Sequence, residues 1–374
     1  MSAPKLDEAW LARHVWPRFS RVLARKELYL ANHSLGRPPD RAADDLRAAI
    51  EAWYREMDGA WKLWVQGREA FRSLTSKLVN AASADSIVPK TSAGQGLRAV
   101  LNALPGKPRV LTTDAEFDSI DFILRVYRDK GRIELKVLPF DSFRFEACDL
   151  VVLSTVAFRT GSIFSGIQEV IRAAHSGGAK VLLDVYHHAG VLPLDLGALG
   201  ADFAVGGSYK YLRGGPGACW LYVHPRHHGL RTLDTGWFAK EDVFAYQRPE
   251  PLRFAAGGDA WLESTPAVLT PFQALAGLEI SLELGMERIR EHNLEQKAVL
   301  KSRLPVQGEG NDHGAFVTLR NPKAQVLAAE LEKKGVKTDA RGEYLRICPD
   351  YLNSREELQT AAAHVAELIE RERI

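Results

Sequence analysis

The chain has 374 residues, 46% hydrophobic and 26% charged, a composition typical of a soluble globular protein large enough for two domains. A formal charge of +2 gives no reason to expect nucleic acid or an anionic membrane as a partner. Three widely spaced cysteines argue against a disulfide framework, and no apolar signal or membrane-spanning stretch occurs, so we expect a cytoplasmic protein.

The first sixty residues predict two helices separated by a short strand. Apolar residues recur at helical spacing over 7–24, interrupted at Pro17, and again over 39–57. Between them, residues 28–30 are typical of a short strand that leads into a turn at 34–36.

The middle of the chain alternates short apolar runs with helical segments. Strands that alternate with helices predict an α/β fold with a mostly parallel sheet covered on both faces. The predicted strands contain residues 87–88, 109–111, 135–138, 150–153, 181–183, 203–205 and 219–223, which makes seven.

The rest of the chain predicts two helices, over 266–284 and 286–304, followed by a smaller α+β unit of strands and helices over 315–374. We therefore expect a large domain over 41–285 and a small C-terminal domain over 286–374. Residues 1–40 form an N-terminal segment that packs with the small domain.

An acid and a lysine stand out at the ends of two successive predicted strands. Asp184 ends one strand, and Lys210 lies in a glycine-rich loop after the next. Ligands of open α/β sheets bind outside the carboxyl ends of strands, and a buried lysine amine there becomes a nucleophile. An acid that protonates a pyridine nitrogen and a lysine that forms a Schiff base are what pyridoxal 5′-phosphate requires.

The segments around these two residues resemble the aspartate aminotransferase-like fold, specifically the class V aminotransferases and, within them, kynureninases. DVYHHAGVLPLDL at 184–196 and YKYLRGGPG at 209–217 are similar to kynureninase segments. The resemblance extends to LYLANHSLGRP at 28–38, VAFRTG at 156–161, TGWF at 235–238 and LRICPDYL at 345–352, which spreads it over nearly the whole chain.

The resemblance implies a large pyridoxal phosphate-binding domain with a seven-stranded sheet. It assigns catalysis to Lys210, Asp184 and Tyr209, and a cofactor contact to His187. Phe117 stacks on the cofactor ring, although a plain core phenylalanine is an equal alternative.

Further cofactor contacts follow from sequence position. Thr91 and Ser92 precede a predicted helix whose N-terminus can bind a phosphate. By resemblance, Ser154 is expected to approach the 3′ oxygen of the cofactor, and Tyr209 is expected to add a phosphate contact. By resemblance, Trp237 and Thr265 complete the phosphate site of a partner subunit, which implies a homodimer with shared active sites.

The substrate is expected to be a small amino acid derivative. Arg346 matches the family's position for binding the substrate carboxylate, because a guanidinium pairs with a carboxylate through two hydrogen bonds. Asn32 is expected near the same pocket. A metal site is not expected: His224, His227 and His228 have no carboxylate or cysteine at ligand spacing, and we predict a solvated loop.

The expected reaction is kynureninase-like hydrolysis of a Cβ–Cγ bond to give alanine and an anthranilate-type acid. Three positions depart from the kynureninase pattern: Tyr186 replaces an alanine, Arg213 replaces an asparagine, and DGAW at 58–61 lacks a pocket histidine. A class V aminotransferase, an epimerase or another lyase therefore remains open. Cysteine desulfurase is disfavoured because 291–311 contains no cysteine, and a cofactor-free binding protein is the non-enzyme alternative.

Overall fold

A computed structural model describes residues 4–371. Its α-helices, numbered α1 to α12 in chain order, are Glu8–His14, Ser20–Leu23, Arg41–Glu56, Trp61–Leu78, Ala93–Leu101, Asp118–Asp129, Ile167–Ser176, Leu196–Leu199, Thr270–Leu284, Met286–Lys301, Ala324–Lys333 and Arg355–Arg371. None of the helices in this part of the chain is both long and apolar enough to cross a lipid bilayer.

The strands account for every apolar run singled out in the sequence. Numbered β1 to β12, they are Leu28–Tyr29, Ile87–Lys90, Arg109–Thr113, Glu134–Leu138, Leu150–Ser154, Lys180–Asp184, Phe203–Gly207, Cys219–Val223, Val317–Arg320, Val336–Lys337, Asp339–Arg341 and Tyr344–Ile347. The seven runs between residues 87 and 223 form one sheet in the order β2-β8-β7-β6-β5-β3-β4.

This sheet is mostly parallel, as predicted. Strands β3 to β7 pair in parallel with their neighbours among themselves, whereas β8 runs antiparallel to both β7 and β2. The central strands β5, β6 and β7 are buried almost throughout, because helices cover both faces of the sheet. Helices α5 and α6 pack on one face, and α7 packs on the other.

The register of the central strands sets the site. Ser154 pairs with Asp184 across β5 and β6, and Asp184 pairs with Val205 across β6 and β7. Since these strands are parallel, their carboxyl ends lie side by side at one edge of the sheet. The loops that follow them converge on the same space.

The C-terminal part of the chain has its own core. Strands β9, β11 and β12 form an antiparallel sheet in the order β11-β12-β9, and α11 and α12 contribute buried residues to one cluster with it. Strand β1 pairs in parallel with β10, and Leu30 belongs to the same cluster. Residues 28–30 of the N-terminal segment therefore pack on the C-terminal unit, whereas Leu6, Leu11 and Phe19 belong to the cluster that includes the large sheet.

Two helical expectations need correction. Residues 7–24 form α1, a 3₁₀ turn at Trp16–Phe19 and α2 rather than one interrupted helix, because Pro17 cannot continue the hydrogen-bond ladder. No helix was predicted over 61–78, where the structure has α4. Its buried face includes Gly67 and Arg72, which hide the apolar pattern of an ordinary amphipathic helix.

Candidate functional site

A cavity of about 300 Å³ opens beyond the carboxyl ends of the central strands. Its walls come from the loops that follow β2, β3, β5, β6 and β7. The structure brings together here eight of the residues predicted for the site: Thr91, Ser92, Phe117, Ser154, Asp184, His187, Tyr209 and Lys210. Positions spread over 120 residues of sequence thus line one space, because the strands that carry them are neighbours.

Lys210 is buried at the floor of this central cavity. Its Nζ lies 5.5 to 5.6 Å from the ring centres of Phe117, Tyr186 and Tyr209, and it lies 2.7 Å from His187 Nε2. Burial lowers the pKa of Lys210 to about 7, against the opposing charge of Asp184. A large share of this amine is therefore unprotonated and nucleophilic near neutral pH.

His187 connects the lysine to a residue that the sequence analysis missed. Burial, followed by the charge of Lys210, lowers the pKa of His187 well below its usual range, so the imidazole is neutral. When Nε2 accepts a hydrogen bond from Lys210 Nζ, the neutral ring carries its proton on Nδ1, which lies 3.2 Å from Tyr211 Oη. Tyr211 stands next to Lys210 in sequence, but nothing in its local pattern marks it.

Asp184 is the last residue of β6, and its carboxylate is buried. Oδ1 accepts a hydrogen bond of 2.9 Å from the backbone N–H of Tyr186. Burial raises the pKa of Asp184, while that hydrogen bond and the charge of Lys210 oppose the rise. Because a buried acid with so few donors gains most from a cationic partner, the site favours a protonated ring nitrogen here.

A second buried acid, Glu116, lies behind the cavity wall. Its carboxylate accepts from Ser154 Oγ at 2.6 Å, from the Ser154 backbone N–H at 3.1 Å and from Thr113 Oγ1 at 2.6 Å. Burial raises its pKa to about 7 despite these donors. Glu116 thereby fixes the direction of the Ser154 hydroxyl, and the only sequence signal for it was its place beside Phe117.

The opposite end of the cavity is the N-terminus of α5. Ser92 is the N-cap, and its Oγ accepts from the Gln95 backbone N–H at 3.1 Å. The Thr91 backbone N–H and hydroxyl both donate to Gln95 Oε1, at 2.7 and 3.2 Å. Free N–H groups of a first helical turn that face a cavity attract an anion.

Tyr186, one of the departures from the kynureninase pattern, packs against Gly207, the last residue of the neighbouring strand β7. A β-carbon added to Gly207 would lie 2.4 Å from Tyr186 Cε1. The tyrosine ring also lies 5.6 Å from the ring of Tyr209. Gly207 therefore makes the room that Tyr186 needs below the cavity.

Trp237 and Thr265 lie outside the central cavity of their own chain. Trp237 Nε1 donates to Thr265 Oγ1 at 3.1 Å. Thr265 lines a second cavity of about 310 Å³, which α4 and the segment 262–271 border. This chain's own cavity thus lacks the two residues that the resemblance assigns to a partner's phosphate site.

Arg346 is buried on β12 and tightly held. Its Nε and Nη2 lie 2.7 and 2.6 Å from Asp339 Oδ1, and Nη1 donates to the Phe158 carbonyl. Its charge is close enough to help lower the pKa of Lys210. Asn32 lies instead in a separate cavity of about 20 Å³, where its Nδ2 is 3.4 Å from the Cys348 carbonyl.

Arg213, another departure from the kynureninase pattern, anchors the lysine loop. Its Nη2 lies 2.5 Å from Asp350 Oδ1, its Nε donates to Tyr351 Oη at 2.5 Å, and Nη1 donates to the Arg37 carbonyl. Burial alone would raise the pKa of Asp350, but Arg213 and Arg37 hold it below its usual range. This buried ion network joins the lysine loop to the N-terminal segment and to the C-terminal unit.

The histidine loop differs from the solvated loop that we predicted. His227 Nε2 lies 2.5 Å from Asp202 Oδ1, and His175 and Arg226 contact the same carboxylate. The prediction failed because Asp202 is distant in sequence from the histidines. Within residues 4–371, no three His, Cys, Asp or Glu side chains are grouped to hold a metal ion.

Comparison with known proteins agrees with this geometry. A family model described as "Aminotransferase class-V" matches residues 47–309. The chain is 30% identical to a kynureninase of Salinispora tropica, over 84% of this chain and 83% of the relative. It is 27% identical to the uncharacterized aminotransferase YcbU of Bacillus subtilis, over 87% of this chain and 90% of the relative.

Solved structures share the fold at lower identity. A mutant of C-DES with glycine covalently linked to its PLP cofactor superposes with a TM-score of 0.84 at 19% identity, covering 94% of this chain and 98% of that one. A cysteine desulfurase of Thermococcus onnurineus superposes with a TM-score of 0.82 at 17% identity, covering 99% and 100%.

Proposed function

The chain belongs to the class-V aminotransferase family and its cofactor is pyridoxal 5′-phosphate; on that premise we propose that it hydrolyses the Cβ–Cγ bond of kynurenine or a related amino acid. The products are alanine and an anthranilate-type acid. The observation that carries the proposal is the buried Lys210 amine, held 2.7 Å from a neutral His187 beside the Asp184 carboxylate.

The residues of the cavity fit this cofactor. Asp184 would hold the ring nitrogen, Lys210 the aldehyde carbon, and Thr91 and Ser92 the phosphate at the N-terminus of α5. Phe117 forms part of the wall between these groups. When bound, pyridoxal phosphate supplies an electron sink that stabilises negative charge on the substrate's α-carbon.

The chain's own side chains move the substrate's α-proton and bind the substrate's carboxylate. Lys210 Nζ removes the α-proton, and its low pKa returns the amine to the unprotonated form near neutral pH. His187 Nε2 accepts a hydrogen bond from that nitrogen and keeps it directed into the cavity. Arg346 binds the substrate carboxylate, while Asp339 holds the guanidinium through Nε and Nη2, and the Phe158 carbonyl holds it through Nη1.

Transamination is the second candidate, because an aminotransferase-named relative matches 87% of the chain, against 84% for the kynureninase of Salinispora tropica. The DGAW segment also supports it, since Asp58 is exposed in a 3₁₀ turn and the segment has no histidine. Transfer of sulfur to one of the chain's own cysteines is disfavoured. The thiols of Cys148, Cys219 and Cys348 are buried, and burial raises the pKa of each, which keeps them protonated.

The proposal includes a homodimer with shared sites. Trp237 and Thr265 do not line their own chain's cavity, and the neighbouring segment exposes the large apolar side chains of Leu233, Tyr246 and Leu252. A partner that covers this face would receive both residues at its phosphate site. Sedimentation of the cofactor-loaded protein should give a dimer, and a cofactor-saturated monomer would disprove this part.

The reaction is tested with a panel of amino acids that includes L-kynurenine and its 3-hydroxylated relative. Hydrolysis releases alanine and an aromatic acid, and both disappear in Lys210→Ala. Formation of a keto acid and an aminated cofactor, with no alanine from either kynurenine, would instead assign transamination. A purified protein that stays colourless after addition of pyridoxal phosphate would contradict both enzymatic readings.

A further inference from the structure

Arg98 is an exposed cation that lines the central cavity, and it was not among the predicted site residues. It lies on α5, one turn after Gly94, and it lines the central cavity. A β-carbon added to Gly94 would lie 3.5 Å from Arg98 Nη1 and 3.8 Å from Ser92 Oγ. The guanidinium therefore folds back along α5 and reaches the first turn of the helix, beside the N-cap.

Gly94 and the neighbouring helix α6 define this position. A β-carbon on Gly94 would also lie 2.7 Å from Ile123 Cδ1, so a larger residue at 94 would displace Ile123 or the guanidinium. Because residue 94 has no side chain, the guanidinium of Arg98 can approach the backbone of the first turn.

Arg98 is the positively charged residue at this end of the cavity that has no role assigned so far. Among the described residues, Arg98 and Lys210 are the arginine and lysine that line the cavity, and Lys210 is committed to the aldehyde carbon. Lys90, close by, donates to Glu263 at 2.7 Å and to the Trp261 carbonyl at 3.0 Å. A phosphate monoester carries close to two negative charges at neutral pH, far more than the roughly half charge of a helix N-terminus can balance.

We propose that Arg98 binds the phosphate group of pyridoxal 5′-phosphate, together with Ser92 and the N-terminus of α5. The guanidinium supplies a full positive charge and several N–H donors where the helix supplies only a partial charge. This inference concerns capture of the cofactor, so it stands or falls independently of the reaction that the enzyme catalyses.

The test compares a ligand that has the phosphate with one that lacks it. Cofactor-free wild type, Arg98→Ala and Arg98→Lys are titrated with pyridoxal 5′-phosphate and with pyridoxal, followed by visible absorbance and by quenching of tryptophan fluorescence. Arg125→Ala serves as the matched control, because Arg125 pairs with Asp121 on the exposed face of α6.

Arg98→Ala should weaken binding of pyridoxal phosphate on the order of 10- to 100-fold, the usual loss for a charge-assisted hydrogen bond, and leave pyridoxal within about twofold. Arg98→Lys should keep most of the affinity, and Arg125→Ala all of it. Equal weakening of both ligands, or no weakening of either, would overturn the proposal. So would an unchanged cofactor affinity with weaker amino acid binding, since Arg98 would then contact the substrate.

Discussion

Lys210 Nζ and His187 Nε2 lie 2.7 Å apart, both buried, and the pKa of each is lowered mainly by burial. A neutral imidazole thus faces the lysine nitrogen, and burial disfavours a positive charge on either group. Burial therefore keeps a large share of the amine unprotonated and nucleophilic, while the side chain still lines the cavity.

The rate at which the cofactor-free protein captures pyridoxal phosphate should follow the unprotonated fraction of Lys210. Since burial lowers its pKa to about 7, the rate should rise with pH below 7 and level off by about pH 8.5. Stopped-flow absorbance measures it, with Lys210→Ala as the inactive control. A capture rate that still rises tenfold per pH unit up to pH 9 would show that the pKa of Lys210 is not lowered.

Glu116 should make folding stability fall as pH rises. Burial raises its pKa to about 7, so between pH 4.5 and 7 the folded state binds more protons than the unfolded state. Its contribution to stability is thus complete at low pH and is lost as pH rises through 7, on the order of 1 kcal/mol per pH unit. Urea unfolding at pH 5 and pH 7.5 should show a smaller loss for Glu116→Gln than for wild type, and identical losses would refute the assignment.

Asp350→Asn should destabilise the protein by about 3–5 kcal/mol, because it leaves the buried cations Arg213 and Arg37 without their carboxylate. It should also weaken cofactor binding, since Arg213 anchors the loop that carries Lys210. Glu169→Ala is the matched control, as it removes an exposed helical ion pair with Arg172 and should change stability little. Similar losses for the two variants in chemical denaturation would argue against a buried anchor.

Gly207→Ala and Tyr186→Ala should show strong coupling. Gly207→Ala alone would place a β-carbon 2.4 Å from the Tyr186 ring. The resulting overpacking should lower the free energy of unfolding by about 1–3 kcal/mol. In the double variant that clash is gone, so its destabilisation should be smaller than the sum of the single effects. Gly229→Ala is the control, because nothing lies within 4 Å of an added β-carbon there. Additive effects at 186 and 207 would show that the two do not compete for space.

Arg346→Ala should weaken amino acid binding by about 2–5 kcal/mol, the cost of leaving a carboxylate without its guanidinium partner. The cofactor-loaded protein should keep its visible absorption band, because Arg346 does not line the cavity that holds the cofactor. The pH at which that band titrates should rise, since the Arg346 charge helps to lower the pKa of the Lys210 nitrogen. Arg320→Ala, on the adjacent strand and exposed, is the control. Unchanged substrate affinity in a folded Arg346 variant would remove the residue from the site.

The sheet was predictable because its strands are short apolar runs. The placement of Asp184 and Lys210 in one cavity was predictable because Asp184 ends one such strand and Lys210 follows the next. Helix α4 was not predictable, since Gly67 and Arg72 lie on its buried face. Gly67 is explained by packing against Phe272 of α9, and Arg72 by its contacts with the Ile87 carbonyl and Asp259. Glu116 and Arg98 were missed for a related reason. A buried carboxylate or a cavity-facing guanidinium has no sequence period, and its partners come from other elements.

The two-residue pairing of β1 with β10 also limits the order in which the chain can fold during synthesis. Leu28 pairs with Val336, so β1 has no partner strand until more than 300 further residues have been added. At about 5–20 residues per second, that delay is roughly 15–60 s. During synthesis the large sheet can form without the N-terminal segment. Pairing of β1 with β10 is then a late event that requires the C-terminal unit, whereas Leu6, Leu11 and Phe19 pack into the cluster that includes the large sheet.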